Sequence, residues 1–206
     1  MDIDRLLAAG CTPVMAILRG IQPAQVIAIG TALVEEGVRI IEVPLNSPDP
    51  FTSIALLQEA FGDVACIGAG TVLDVASVER LAATGAKLMV APNADPMVIA
   101  HGLSLGLTPM PGVMTPTEAF SAIRAGAKRL KLFPSSAFSP GFVRAIREVI
   151  PRDIPIWAVG GTHAGNLREW LDAGSEGIGV GSSLYKPGDT DSVVRLRARE
   201  LVSAFK

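Results

Sequence analysis

Along the chain, short runs of aliphatic and β-branched residues alternate with longer segments whose apolar positions recur at helical spacing. The runs fall at residues 14–18, 40–45, 66–69, 88–91, 107–110, 129–133, 156–159 and 177–180, which predicts eight strands. Between them, segments such as 24–36 and 75–83 predict helices, and Gly37 and Gly85 follow as stop signals. A strand and a helix recur about every 23 residues, room for two to three helical turns and tight loops. Eight consecutive βα units either open into a doubly wound sheet or close on themselves, and the count favours closure. The expected fold is therefore an α/β (β/α)8 TIM barrel of minimal size, since such barrels usually take ~250 residues and descend to ~200. Residues 2–9 predict an added N-terminal helix covering the bottom of the barrel.

Composition narrows the picture. A chain of 206 residues with 49% hydrophobic and 18% charged positions fits one domain spanning residues 1–206 around one core. The 18 basic and 20 acidic residues leave a net charge of −2 with no basic cluster, so nucleic acid is not an expected partner. No apolar run reaches the ~18 residues of a membrane span, so no membrane partner is expected. Asp2 and Asp4 precede any apolar stretch, the reverse of the basic start of an export signal, which makes the cytoplasm the expected compartment. Cys11 and Cys66 both stand in apolar surroundings and read as two buried thiols. The two histidines, His101 and His163, belong to no cluster with metal-ligand spacing, so neither a metal nor a cofactor is expected.

Most charged residues sit on helix faces or at strand starts, as Arg39, Lys87 and Lys128 do. Glu42 and Lys131 do not, because each lies inside a predicted strand between large apolar residues. A charge buried there must find a partner or shift its pKa. One outcome is a self-satisfying Glu42–Lys131 ion pair, although buried pairs stabilise weakly against apolar replacements. The other is chemistry. A desolvated lysine is a neutral nucleophile able to condense with a ketone, and a nearby carboxylate can shuttle the protons.

In a barrel the functional face lies at the C-terminal ends of the strands. Gly160 and Gly161 end the seventh predicted strand, and Gly181 and Ser182 follow the eighth. These are the loops in which many barrels bind phosphate through backbone N–H groups, and glycine there also permits a tight turn. The spacing Gly177-Ile178-Gly179-Val180-Gly181-Ser182 lacks the third glycine of a dinucleotide motif. Thr71 closes the third strand, where its hydroxyl reads equally as a helix cap or a ligand contact. Arg19, the one cation at the mouth of the first strand, fits a carboxylate or phosphate, or a rim salt bridge.

Taken together, these segments resemble the 2-keto-3-deoxy-6-phosphogluconate/phosphogalactonate aldolases, class I enzymes on a small (β/α)8 barrel. The likeness runs through Ile17-Leu18-Arg19-Gly20, Glu42-Val43-Pro44-Leu45-Asn46-Ser47, Gly68-Ala69-Gly70-Thr71, Leu130-Lys131-Leu132-Phe133-Pro134, Val159-Gly160-Gly161 and Gly179-Val180-Gly181-Ser182, and covers nearly the whole chain. It implies Lys131 as the Schiff-base lysine and Glu42 as proton donor and acceptor. Arg19 and Thr71 would touch the substrate, and Gly161, Gly181 and Ser182 its phosphate. The substrate would be a phosphorylated keto-deoxy sugar acid, and the assembly a homotrimer. Where gluconate-type members usually carry arginine and threonine, this sequence has Asn46 and Val159. Both departures resemble galactonate-type members, which cleave the epimeric substrate to pyruvate and D-glyceraldehyde 3-phosphate. The alternatives are the same chemistry on the gluconate epimer, or a phosphate-binding barrel isomerase or synthase.

Overall fold

The computed structural model describes residues 1–205. Nine parallel segments form one sheet: β1 (Val14–Ile17), β2 (Ile40–Pro44), β3 (Cys66–Gly70), β4 (Leu88–Val90), β5 (Thr108–Met110), β6 (Gly112–Val113), β7 (Leu130–Leu132), β8 (Ile156–Val159) and β9 (Gly177–Val180). Their order is β5-β4-β3-β2-β1-β9-β8-β7-β6, so the two ends of the sheet are consecutive in sequence. The expected eight-stranded barrel is present, with its fifth wall strand broken in two. Pro111 causes the break, because it has no N–H to donate to a neighbour. Its carbonyl still accepts from the Lys131 N–H at 2.9 Å, which keeps the chain in the wall and joins β5 to β6 across the seam.

Around the barrel run α2 (Pro23–Glu35), α3 (Pro50–Phe61), α4 (Val75–Ala83), α5 (Pro96–Ser104), α6 (Pro116–Arg124), α7 (Pro140–Ile146), α8 (Leu167–Asp172) and α9 (Asp191–Phe205), after an initial α1 (Ile3–Ala8). Five of these helices start on proline, whose missing N–H is one the first turn leaves unpaired anyway. Thr115 and Glu118 form a reciprocal capping box at the start of α6. The predicted stops hold: Gly37 and Gly85 adopt φ of 92° and 78°, the left-handed turn that ends a helix.

Alternation along the strands sorts the core into two layers. Met15, Ile17, Ile40, Cys66, Leu88, Val90, Met110, Trp157 and Val159 pack inside the barrel, while Val14, Ala16, Ile41, Val43 and Ile67 face the helices. The N-terminal helix closes the bottom as expected, with Ile3 and Leu6 buried against the inner layer. Asp2 caps it by accepting from the Arg5 N–H at 2.8 Å.

Two features at this end differ from the sequence reading. Arg129 is a third buried charge, 4% exposed, donating to Glu176 Oε2 at 2.9 Å and Asp4 Oδ1 at 3.1 Å. Trp157 Nε1 donates to the same Glu176 oxygen at 2.6 Å, so this network fastens α1 to the strands. Of the two thiols, Cys66 is buried in the barrel, and burial pushes its pKa up to about 12. Cys11 is only half-buried, because it lies in the turn between α1 and β1. Among the described residues no helix is long and apolar enough to cross a membrane, and no group of three His, Cys, Asp or Glu side chains is placed to hold a metal.

Candidate active site

The same alternation that builds the inner layer aims two charges into it. Glu42 shares its strand face with Ile40, and Lys131 stands opposite Trp157 in β8 and Gly112 in β6. They are 2% and 5% exposed. Room for the carboxyl comes from β3, where a Cβ on Gly70 would collide with Glu42 Oε2. Gly70 is therefore required by a close approach rather than by a turn.

The self-satisfying ion pair is not what forms. No hydrogen bond joins the two side chains, and no carboxylate oxygen lies within the 4.0 Å ion-pair distance of Lys131 Nζ among the described residues. Glu42 Oε2 is buried without a hydrogen-bond partner, an arrangement that native interiors seldom keep without a use. Lys131 Nζ instead packs over the Phe133 ring, 4.5 Å from its centroid. Burial holds the Lys131 amine below the ordinary lysine value, against the opposing pull of the Glu42 charge, and the Arg19 cation lowers it further. Burial likewise raises the Glu42 carboxyl, opposed by the positive charges of Lys131 and then Arg19. The neutral forms of both groups are thus favoured by the same loss of water.

Phe133 connects this pair to a cleft of about 340 Å³ at the C-terminal mouth of the barrel. Ile17, Phe133 and Val159 give it an apolar floor, and the loops after β8 and β9 supply its walls. Gly160 and Gly161 line it with φ of 105° and 77°, conformations that favour glycine. Their carbonyls are held from outside, Gly160 O by Ser135 Oγ at 2.6 Å and Gly161 O by Asn166 Nδ2 at 3.0 Å. Thr162 Oγ1 donates to Gly179 O in β9 at 2.6 Å, and Ser183 Oγ donates to Thr162 O at 2.7 Å, which ties the two loops together. The N–H groups of Gly161, Gly181 and Ser182 find no backbone acceptor among the described residues. At Gly181 the space a Cβ would fill is open to beyond 4 Å, so the main chain there is accessible to a ligand.

The remaining sequence candidates divide. Arg19 lines the cleft, and its Nη1 donates to Asn46 Oδ1 at 2.6 Å; the rim salt bridge considered for it does not form. Asn46 thus serves Arg19 and is not part of the cleft wall. Thr71 follows Gly70 with φ of 59°, unusual for a β-branched residue and a sign of local strain. It is not the helix cap, since Asp74 takes that role by accepting from the Ser77 N–H at 2.7 Å. Ile17, Phe133, Thr162, His163 and Ser183 also line the cleft and were not singled out from the sequence. Each stands at the end of a strand or in the loop just beyond it, which is the signal that marks them.

Comparison with known proteins decides among barrel enzymes that share such glycine loops. A family profile described as KDPG and KHG aldolase matches residues 5–196. The chain belongs to this aldolase family. It is therefore an enzyme, an aldehyde-lyase. The 2-dehydro-3-deoxy-6-phosphogalactonate aldolase of Escherichia coli (strain K12) is 45% identical over 194 residues, covering 94% of this chain and 95% of its own. A protein of Rhizobium meliloti (strain 1021) with the same name, qualified as probable, is 48% identical over 193 residues, covering 94% and 91%. A solved structure described as native KDPGal superposes with a TM-score of 0.92 at 45% identity, covering 94% of each chain. In this aldolase Lys131 packs on Phe133 and Glu42 is the strand partner of Ile17, both residues of the cleft floor with Val159, while Arg19, Gly160, Gly161, Gly181 and Ser182 line its walls.

Proposed function

We propose that this aldolase cleaves 2-dehydro-3-deoxy-6-phosphogalactonate to pyruvate and D-glyceraldehyde 3-phosphate through a Schiff base on Lys131. The observation that carries the reading is a pair of buried, mutually unbonded ionisable groups, shifted in opposite directions, beside a cleft at the functional end of a barrel. The substrate named for relatives at 45% and 48% identity supports the choice of epimer.

The residues supply each step. The neutral Lys131 amine attacks the C2 ketone, and the neutral Glu42 carboxyl gives its proton to the carbinolamine hydroxyl, which leaves as water, so that an iminium and a Glu42 carboxylate remain. Glu42 takes the C4 hydroxyl proton, the C3–C4 bond breaks, and its electron pair passes into the iminium to give an enamine and the aldehyde. Glu42 then returns the proton to C3, which restores the iminium, and water hydrolyses it to pyruvate and free neutral lysine, the proton released going back to the Glu42 carboxylate. The scheme uses no metal and no cofactor. A carboxyl whose pKa burial raises suits both halves of this cycle, because it keeps a proton that an ordinary carboxylate would lose and can still give it up to the substrate.

Arg19 fits the substrate carboxylate, since its charge acts on both Lys131 and Glu42 and so lies close to the reacting end. The unpaired N–H groups of Gly161, Gly181 and Ser182, with the Ser182 hydroxyl, suit the phosphate; Gly160 shapes the turn that presents them. Thr71 does not line the cleft, but it directly follows Gly70, against which Glu42 is seated, and its hydroxyl is assigned to the sugar chain.

Val159 carries the epimer preference. It presents methyl groups on the cleft floor, so a substrate hydroxyl aimed at that point in the gluconate configuration finds no partner. A coupled pyruvate assay is expected to give a kcat/KM at least several-fold higher for the galactonate substrate. Val159→Thr is expected to raise the relative gluconate activity by about fivefold, the ~1 kcal/mol net worth of one hydrogen bond. Equal values for the two epimers in the wild type would remove the galactonate assignment and leave the aldolase mechanism standing.

The reading includes a homotrimer in the cytoplasm. Leu73, Met97 and Met114 are 49%, 73% and 39% exposed and follow β3, β4 and the broken wall strand β5–β6, an apolar display suited to burial between subunits. Light scattering on the purified protein is expected to give three times the 21.4 kDa chain mass, and a monomer mass would contradict the assembly. A phosphorylated substrate does not cross membranes unaided, which supports the cytoplasmic assignment.

A further inference from the structure

Two neighbouring loops meet at one point on the rim of the site. The loop leaving β1 carries Arg19 and Gly20, and the loop leaving β2 carries Asn46 and Ser47. Arg19 Nη1 donates to Asn46 Oδ1 at 2.6 Å, and the Gly20 N–H donates to Ser47 Oγ at 2.9 Å. On the other side of Arg19, the Leu18 N–H donates to Glu42 O at 3.0 Å. The arginine backbone is therefore pinned before and after the residue, both times to the strand and loop that also present Glu42.

Ser47 is well suited to this role. It is 7% exposed although it lies in a loop, and its own N–H donates to the carbonyl of Pro44, the last residue of β2, at 2.9 Å. Its hydroxyl thus rides on the end of a rigid strand. Gly20, with φ of 80°, also lies close to Pro187, whose Cγ would be 2.7 Å from an added Cβ. An exposed arginine otherwise loses much side-chain freedom when it grips a ligand, and ordering it beforehand removes that penalty from binding.

We infer that Ser47 is a positioning residue of the aldol reaction: acting through Gly20, and together with Asn46, it pre-orders Arg19 for the substrate carboxylate. This rests on the assignment of Arg19 to the carboxylate made above. The hydroxyl touches no reacting atom. Its effect is to fix where the acid end of the keto acid docks, and so where the ketone meets Lys131.

The test is the pyruvate concentration that gives half-maximal borohydride trapping on Lys131, measured together with the thermal midpoint. Ser47→Ala is expected to raise that concentration about five- to tenfold, while trapping at saturating pyruvate stays near wild type. In an Arg19→Ala background the same change is expected to add nothing, because the group it acts through is gone. Asn46→Ala should show the same dependence on Arg19, which keeps the test available if Ser47→Ala folds poorly. An unchanged half-saturation in the folded Ser47→Ala variant, or an equal increment with and without Arg19, would overturn the inference while leaving the Schiff-base reading intact. A wild-type protein that pyruvate and borohydride do not modify would overturn both.

Discussion

Lys131→Met is expected to lower turnover by about 10⁴-fold or more, the scale on which losing a covalent nucleophile is felt. Methionine follows the aliphatic stem of lysine and removes the ionisable head, so the barrel should stay folded. Stability should even rise, for a reason with a definite pH dependence. Burial holds the folded pKa of Lys131 below its unfolded value, so a charge that the unfolded chain tolerates is resisted in the barrel. That penalty is full below the folded value and fades as pH rises to the ordinary lysine range. The gain in the methionine variant should therefore shrink as the solution is made alkaline, which thermal melts across pH will show. Near-normal retro-aldol activity in the purified, folded variant would sink the Schiff-base assignment.

Glu42→Gln is expected to slow cleavage by about 10²–10⁴, the usual worth of a positioned general acid–base, without preventing ketone condensation at Lys131. The two steps should separate: steady-state turnover falls while pyruvate trapping persists. The pH profile of trapping should move as well. The Glu42 charge raises the Lys131 pKa, so its removal lets that pKa fall further and shifts the midpoint of trapping to lower pH. An unchanged cleavage rate with intact trapping would reduce Glu42 to a buried counter-ion.

Much of this site was legible in the sequence because strand periodicity is local. Once residues 40–45 and 129–133 are read as strands, Glu42 and Lys131 stand out as charges where apolar residues belong, and parity places them on the inner face. The glycines after β8 and β9 were visible for the same reason, since they follow apolar runs directly. What escaped depends on contacts between distant segments. The grip of Asn46 and Ser47 on Arg19 and Gly20 exists only because closure sets the first two loops side by side. Arg129 read as the start of a strand, and its partners Asp4 and Glu176 lie 125 and 47 residues away. Ile17 and Phe133 look like ordinary core residues until the cleft opens above them. The break at Pro111 was missed because a carbonyl on one side of the strand is enough to keep it in the wall. Thr71 gave no hint of its positive φ.

The most direct test of the central claim is mass spectrometry of the protein after borohydride reduction in the presence of pyruvate. The account predicts one reduced pyruvate adduct per chain, located by peptide mapping on Lys131 and absent when either pyruvate or borohydride is withheld. Full retro-aldol activity with no adduct, or an adduct mapped to another lysine such as Lys87, Lys128 or Lys186, would contradict it.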